Sequence, residues 1–377
     1  MSLFSKQESY LGVDIGANGI KLVELKKSKG RAQLWTYGVA DEPLDIHLPK
    51  MMEKGTEELM AEDSGSNFKI KKNKESFITD LKDPRIDKYA KLLKDVLVKS
   101  KVTTKRATAS LPVSYIFHAV LNLPKVEDKE IDHIVRAEVA KMLPRPIEQM
   151  QVVHQIVPEP DPERKSKYLK VLVTAAPKEL VGFYTAIFQK AGLQLQELET
   201  EAFALERSLV GHDTATVMIV DIGAERTNFF IVDQGLPLTH RSINVGGILF
   251  DQILSRNLGI EGSDLDQVKK DLSKIKGIKP EMFLTAIDPI EKEISYNFDL
   301  FLHQTGNENK RPEKIVLTGG SSVFPFLADY IKEKFSIKVF VGDPWARVVY
   351  QDGLKNLLDE IGPRLSVSIG LAMRNIV

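Results

Sequence analysis

At 377 residues, with 52 Lys+Arg balanced by 52 Asp+Glu, the chain carries no global basic field to attract nucleic acid or anionic lipid. It contains no Cys, which excludes disulfides and thiolate metal sites, and its length exceeds the roughly 100–200 residues expected of one domain. No stretch reaches the roughly 18 uninterrupted apolar residues of a membrane span, the opening MSLFSKQES lacks a signal-peptide run, and the seven His show no spacing for a metal site, so a soluble, cytoplasmic chain is predicted.

The first predicted element is a hairpin, YLGVDIGANGIKLVEL at residues 10–25. An apolar strand ends at Asp14, Gly16, Ala17 and Asn18 make the turn, and Lys21 lies in the returning strand. Residues 42–85 shift to Lys, Glu, Asp, Ser and Asn without periodicity and read as a mobile insertion. IDKYAKLLKDVLVKS (86–100) has the apolar spacing of a helix packed on a sheet, and RATASLP is a strand ending at Pro112. From there to about Ala176 the pattern is strand, helix, strand, strand, a small α+β unit interrupting a larger core. Its helix, near 127–142, sets Ile131, Ile134, Val135, Val139 and Met142 on one side. Pro177 opens and Gly192 closes the next helix. Glu201 starts another short helical stretch, where a surface Glu favoured by the helix dipole and a functional carboxylate are both open readings.

The second half, predicted from about Ala215 to the C terminus, begins with VMIVDIGAERTNFFIV at 217–232. This repeats the apolar strand, the terminal Asp (Asp221) and the D-I-G-A turn, here with Gly223 and Ala224. Gly at such a turn lets backbone amides approach an anion without Cβ obstruction, so two facing copies could clamp a polyphosphate. Gly246-Gly247 opens the helix-like ILFDQILSRN, and Lys269 lies in the amphipathic DLDQVKKDL. In KIVLTGGSSVFPFLADY a strand runs through Gly319-Gly320 into a predicted helix capped by Ser321 or Ser322. SVSIGLAMRNI (366–376) reads as the closing helix.

The order of these motifs resembles the nucleotide site of the actin, Hsp70 and sugar-kinase superfamily. Within it the chain is similar to the PilM family of type IV pilus assembly proteins, relatives of the division protein FtsA. The similarity runs through LGVDIGANGIKLVEL, TASLPVSYIFHAVLNLP, RAEVAKMLPRPIEQMQVVHQIV, LVTAAPKELVGFY, LTGGSSVFPFL, VGDPW and SIGLAMR. It implies an α/β, actin-like (ribonuclease H-like) fold of duplicated domains with an inserted small α+β subdomain. The expected division is 1–112, 113–176 as the inserted unit, 177–212, and 213–377 as the second domain. It also implies ATP with Mg²⁺ as cofactor. Asp14 and Asp221 would meet the ion through water, which Mg²⁺ gives up reluctantly. Gly16, Ala17, Asn18, Gly223 and Ala224 would face the phosphates, with Lys21 as a phosphate contact. Gly246, Gly247, Lys269, Gly319, Gly320 and Ser321 would face the nucleotide, and Glu201 would position water.

The turn GAERTN has fewer glycines and hydroxyls than strong hydrolases of the superfamily, and Ala17 stands where many relatives have a hydroxyl, so slow or negligible turnover is expected. The implied partner is the N-terminal cytoplasmic peptide of a PilN-like single-span inner-membrane protein, with other pilus inner-membrane and motor components and weak self-association besides. The chain would then lie at the inner membrane through that partner. An FtsA-like filament former is the alternative, disfavoured because no basic amphipathic tail follows SIGLAMR. A small-molecule kinase on the same core is another, for which no substrate base or loop is recognisable. No room is left for the substrate domain of an Hsp70-like chaperone.

Overall fold

A computed structural model describes residues 8–47, 83–157, 168–259, 280–304, 307, 310–324 and 326–376. The central part of the expected insertion at 42–85, and Lys269, lie outside the described residues. Three strands open the fold: β1 (Ser9–Gly16), β2 (Gly19–Ser28) and β3 (Arg31–Ala40). They pair antiparallel in sequence and are joined by β4 (Arg106–Leu111), β8 (Gln194–Thr200) and a two-residue β14 (Val348–Val349). The resulting sheet has the order β14-β3-β2-β1-β4-β8. One face is covered by α1 (Pro84–Lys99) and α3 (Lys178–Ala191), through Tyr89, Leu93, Tyr184, Ile187 and Phe188. The predicted end of α3 is observed: Gly192 takes the left-handed conformation, φ 81°, in which glycine has no Cβ penalty.

The second sheet repeats the plan with β9 (Val217–Ile222), β10 (Thr227–Asp233), β11 (Leu236–Ile243), β12 (Lys314–Thr318) and β13 (Lys338–Val341) in the order β11-β10-β9-β12-β13. Its outer face buries α5 (Gly247–Leu258), α6 (Leu284–Leu302) and α7 (Leu327–Phe335) around Phe250, Phe283, Ile290 and Phe301. Its inner face packs on α4 (Glu201–Leu205) and on the last helix, α8 (Lys355–Met373).

That last helix corrects the expectation that residues from 213 onward belong to the second half. Trp345, Val348, Leu365 and Ile369 pack on Val23, Leu25 and Ala32 of the first sheet, and β14 extends that sheet's edge. From about 343 the chain therefore returns to the first half. Residues 358–373 of α8 are buried on most sides, as a helix wedged between two sheets must be.

The inserted unit is a three-stranded sheet, β5 (Phe117–Pro124), β6 (Met150–Ile156) and β7 (Tyr168–Pro177) in the order β5-β7-β6, with α2 (Asp128–Ala140) across one face. Ile131, Val135 and Val139 are buried against Val152, Val171 and Val173, as their spacing predicts. Met142 is not: it lies two residues past the helix and is 51% exposed. Among the described residues, no helix is long and apolar enough to cross a membrane.

Candidate functional site

The two D-I-G-A segments form matching hairpins. In the first, Asp14 stands opposite Lys21, and Gly16 opposite Gly19, so that Ala17 and Asn18 are the two turn residues. In the second, Asp221 stands opposite Asn228, and the Gly223 N–H donates to the Arg226 carbonyl at 2.9 Å, leaving Ala224 and Glu225 as the turn. Asn228 is therefore the counterpart of Lys21, seven residues after its Asp in each copy. Strand geometry explains the recurrence, because that spacing across a two-residue turn brings the two residues directly opposite each other.

The side chains differ where the backbones agree. Asp14 accepts a hydrogen bond from Ser110 Oγ at 2.9 Å and lies 3.7 Å from Lys21 Nζ. Asp221 faces the Asn228 amide, with the Lys21 charge nearby, and burial followed by the charge of Asp14 pushes its carboxyl up to about 6. Glu201, at the first turn of α4, accepts from Asn228 Nδ2 at 3.1 Å. Burial, then the charges of Asp14 and Asp221, raise its carboxyl well above the usual carboxylate range. Glu201 is half-buried, beside the two Asp carboxyls rather than on an open helix surface.

The glycines close around the second hairpin. Gly246 is the N-cap of α5, and the N–H groups of Gly247 and Ile248 donate to the carbonyls of Gly223 and Ala224, each at 2.9 Å. The fit leaves no space for larger residues: a Cβ on Gly246 would lie 2.5 Å from the Ala224 carbonyl oxygen. Gly319 has φ +88°, and a Cβ there would lie 2.5 Å from Asp221 Oδ1. Its N–H reaches the Pro363 carbonyl of α8 at 3.0 Å, while the Ser321 N–H donates to Ile222 at 3.1 Å.

The predicted helix directly after Gly320 is not formed. Residues 319–323 are turns, Ser322 Oγ bonds back to the Gly319 carbonyl at 2.8 Å, and α7 starts only at Leu327, after Phe326 in a left-handed conformation. Neither Ser321 nor Ser322 caps it. Gly320 instead lies under the stem of Arg364, whose guanidinium is paired with Asp41, just past β3 and beside the turn of the first hairpin.

The structure thus gathers Asp14, Gly16, Lys21, Glu201, Asp221, Gly223, Ala224, Gly246, Gly247, Gly319 and Ser321 about one cleft. Asn18 is exposed at the first hairpin's tip, and the Ala17 carbonyl accepts from the Leu44 N–H at 2.8 Å. Ser110, Asn228 and Arg364 belong to this cleft but escaped the sequence reading. Only Asn228 carried a signal, the repeated seven-residue spacing.

The chain matches the family described as type IV pilus assembly protein PilM over residues 65–376. Among solved structures it is similar to the PilM-PilN type IV pilus biogenesis complex, with a TM-score of 0.76 and 21% identity, covering 98% of each chain. It is also similar to the ethanolamine utilization protein EutJ from Carboxydothermus hydrogenoformans, with a TM-score of 0.50 and 14% identity, covering 97% of this chain and 89% of that one. The family match starts beyond the first hairpin, and the structural match includes it. With its duplicated sheets, inserted α+β unit and paired D-I-G-A hairpins, the chain has the actin-like fold and belongs to the PilM family of type IV pilus assembly proteins.

Proposed function

We propose that the protein is a nucleotide-binding scaffold of a pilus or related secretion assembly, taking Mg-ATP between its two hairpins and holding the N-terminal peptide of a PilN-like inner-membrane protein. The observation that carries this reading is the convergence of three carboxyl groups, Asp14, Asp221 and Glu201, on one ammonium, Lys21, inside a cradle of glycines. Burial first, and then the excess of negative charge, push Asp221 and Glu201 toward their protonated forms, and a divalent cation would answer that excess.

Asp14 and Asp221 would face Mg²⁺ through its water shell. Among the described residues no group of three or more His, Asp and Glu is placed to enclose a metal directly. When bound, the ion would supply charge neutralisation for the phosphates and for both Asp side chains. The backbone of the Gly16 and Gly223 turns, with Lys21, would hold the phosphates, while Gly246, Gly247, Gly319 and Arg364 would border the nucleoside side.

Turnover should be slow. Glu201 is tied to Asn228, whose amide donates to it at 3.1 Å, which limits its freedom to orient an attacking water. The second turn offers Ala224 and Glu225 where stronger hydrolases have glycines and Arg226 where they have a hydroxyl, so fewer donors can tighten in a transition state. ATP then serves as a conformational ligand that shifts closure of the two halves and, with it, partner affinity.

For the peptide, the inserted unit offers a groove of about 370 Å³ between α2 and the start of α3, lined by His133, Arg136, Ala140, Met150 and Lys178. The solved PilM-PilN complex supports a PilN-type occupant. The test is purification from detergent-solubilised membranes with and without Mg-ATP. Recovery of single-span inner-membrane pilus proteins supports the scaffold. Recovery of division proteins, or phosphate release faster than about 1 s⁻¹, overturns it in favour of a filament or an enzyme.

A further inference from the structure

The chain enters the inserted subdomain through one short 3-10 turn, Val113–Tyr115, and several parts of the cleft hold that turn. The Val113 backbone lies beside the Glu201 carboxyl and beside the His240 ring of β11. The Val113 side chain is buried with Ala202 and Leu205 of α4 and Phe230 of the second sheet. The turn is therefore packed between α4, which carries Glu201, and the second sheet.

Tyr115 adds a bridge to the second hairpin. Its hydroxyl lies 3.0 Å from His47 Nδ1, and His47 Nε2 lies 3.4 Å from Glu225 at the hairpin's tip. The Arg226 guanidinium stands over the Tyr115 ring, 5.8 Å from its centre, within cation–π range. His47 is not a loose tether. Arg85 of α1 donates to the carbonyls of Asp45 and His47 at 3.0 and 2.5 Å, and Tyr89 donates to Asp45 at 2.7 Å. Tyr115 is thus gripped between a segment fixed to the first half and a hairpin turn of the second. β5, the strand paired with β7 along its full length, begins two residues later.

Closure of the halves moves the hairpin tip relative to His47 and α1, and Tyr115 touches both. We propose that Tyr115 is a positioning residue that transmits closure at the cleft to the inserted subdomain, so that nucleotide occupancy sets the orientation of β5 and of the groove behind it. This rests on the nucleotide reading given above. Coupling by this route needs no contact between Tyr115 and the ligand, so its loss separates binding from transmission.

Hydrogen–deuterium exchange on the full chain, with and without Mg-ATP, tests this, alongside titration with the fluorescent analogue mant-ATP. In the parent protein, Mg-ATP slows exchange at 221–228 and also changes it at 117–124 and 168–177, by about fivefold or more for a typical coupling. In Tyr115→Ala the change at 117–124 and 168–177 disappears, while the change at 221–228 stays and mant-ATP affinity holds within about twofold, well inside one coupling unit. Tyr115→Phe keeps the ring over Arg226 but drops the His47 bond, and falls between the two. Should Tyr115→Ala loosen β1 and β9 in the nucleotide-free protein, the Phe variant decides by the same criterion. A full response of the inserted strands in the variants, or none in the parent despite bound mant-ATP, overturns the proposal alone. Failure of the parent to bind mant-ATP overturns the nucleotide reading and the proposal together.

Discussion

The two hairpins put Asp14 and Asp221 at the same register of the same turn, yet surround them with different chemistry. Asp14 has a cation and a hydroxyl, Lys21 and Ser110; Asp221 has a neutral amide, Asn228, and the close-packed Gly319 turn. A single cross-strand exchange, Lys for Asn, leaves one carboxyl opposite a cation and the other opposite a neutral amide. Duplication preserved the backbone and let the charge diverge, which is how one turn can serve two sides of an asymmetric ligand.

The largest effect should come from the dry side. Gly319→Ala places a Cβ against Asp221 Oδ1 and Ile222 at a φ of +88°. Backbone strain and overpacking together cost on the order of 3 kcal/mol, read as a lowered denaturation midpoint, and mant-ATP binding should be lost with it.

The paired Asn replacements should then move in opposite directions. Asp14→Asn strips Lys21 and Ser110 of their anion and should destabilise the nucleotide-free protein by about 1–2 kcal/mol. Asp221→Asn removes a carboxylate whose charge is unwelcome and should stabilise that same state by on the order of 2 kcal/mol above pH 6, after allowance for solvent access. Both should weaken Mg-ATP binding. Because the folded chain raises Asp221 to about 6 from 3.8, its contribution in EDTA is fully present below pH 4 and lost as pH rises through 6. Denaturation midpoints across that window should show a shallower slope in Asp221→Asn than in the parent, the remainder coming from Glu201 and Glu206, whose carboxyls are also raised.

Making the hairpins alike sharpens the contrast further. Asn228→Lys would set a cation opposite Asp221 and partly replace the ion, so the ratio of mant-ATP affinities with and without EDTA should shrink by about tenfold, the equivalent of roughly one pK unit of interaction. An unchanged ratio would mean that the ion does not answer the Asp221 charge. Smallest is Ser110→Ala, which deletes one hydrogen bond to Asp14 and should cost about 1 kcal/mol with little effect on the second hairpin.

Much of this asymmetry was readable in advance only as symmetry. The repeated D-I-G-A, the alternation of the strands, Gly247 at a helix start and Gly192 at a helix end are local signals, and each appears where residue chemistry puts it. Glu201 was undecidable, because burial against Asp14 and Asp221 arises from residues far away in sequence. The stretch 321–326 misled for a related reason. Its serines have cap chemistry, but Ser321 is committed to Ile222 and Ser322 to Gly319, and the helix waits until Leu327. The return of α8 to the first sheet left no local trace, since an apolar run buried on most sides fits either half.

That return also orders events during synthesis. The face of the first sheet formed by Val23, Leu25 and Ala32 is covered by Trp345, Leu365, Ile369 and Met373, which emerge from the ribosome roughly 300 residues later. At about 10 residues per second the nascent chain spends on the order of half a minute with that apolar face uncovered. The opening strands are thus the first part made and among the last to be sheltered. A chaperone engaging them during translation, or aggregation of chains stopped near residue 340, follows from that delay.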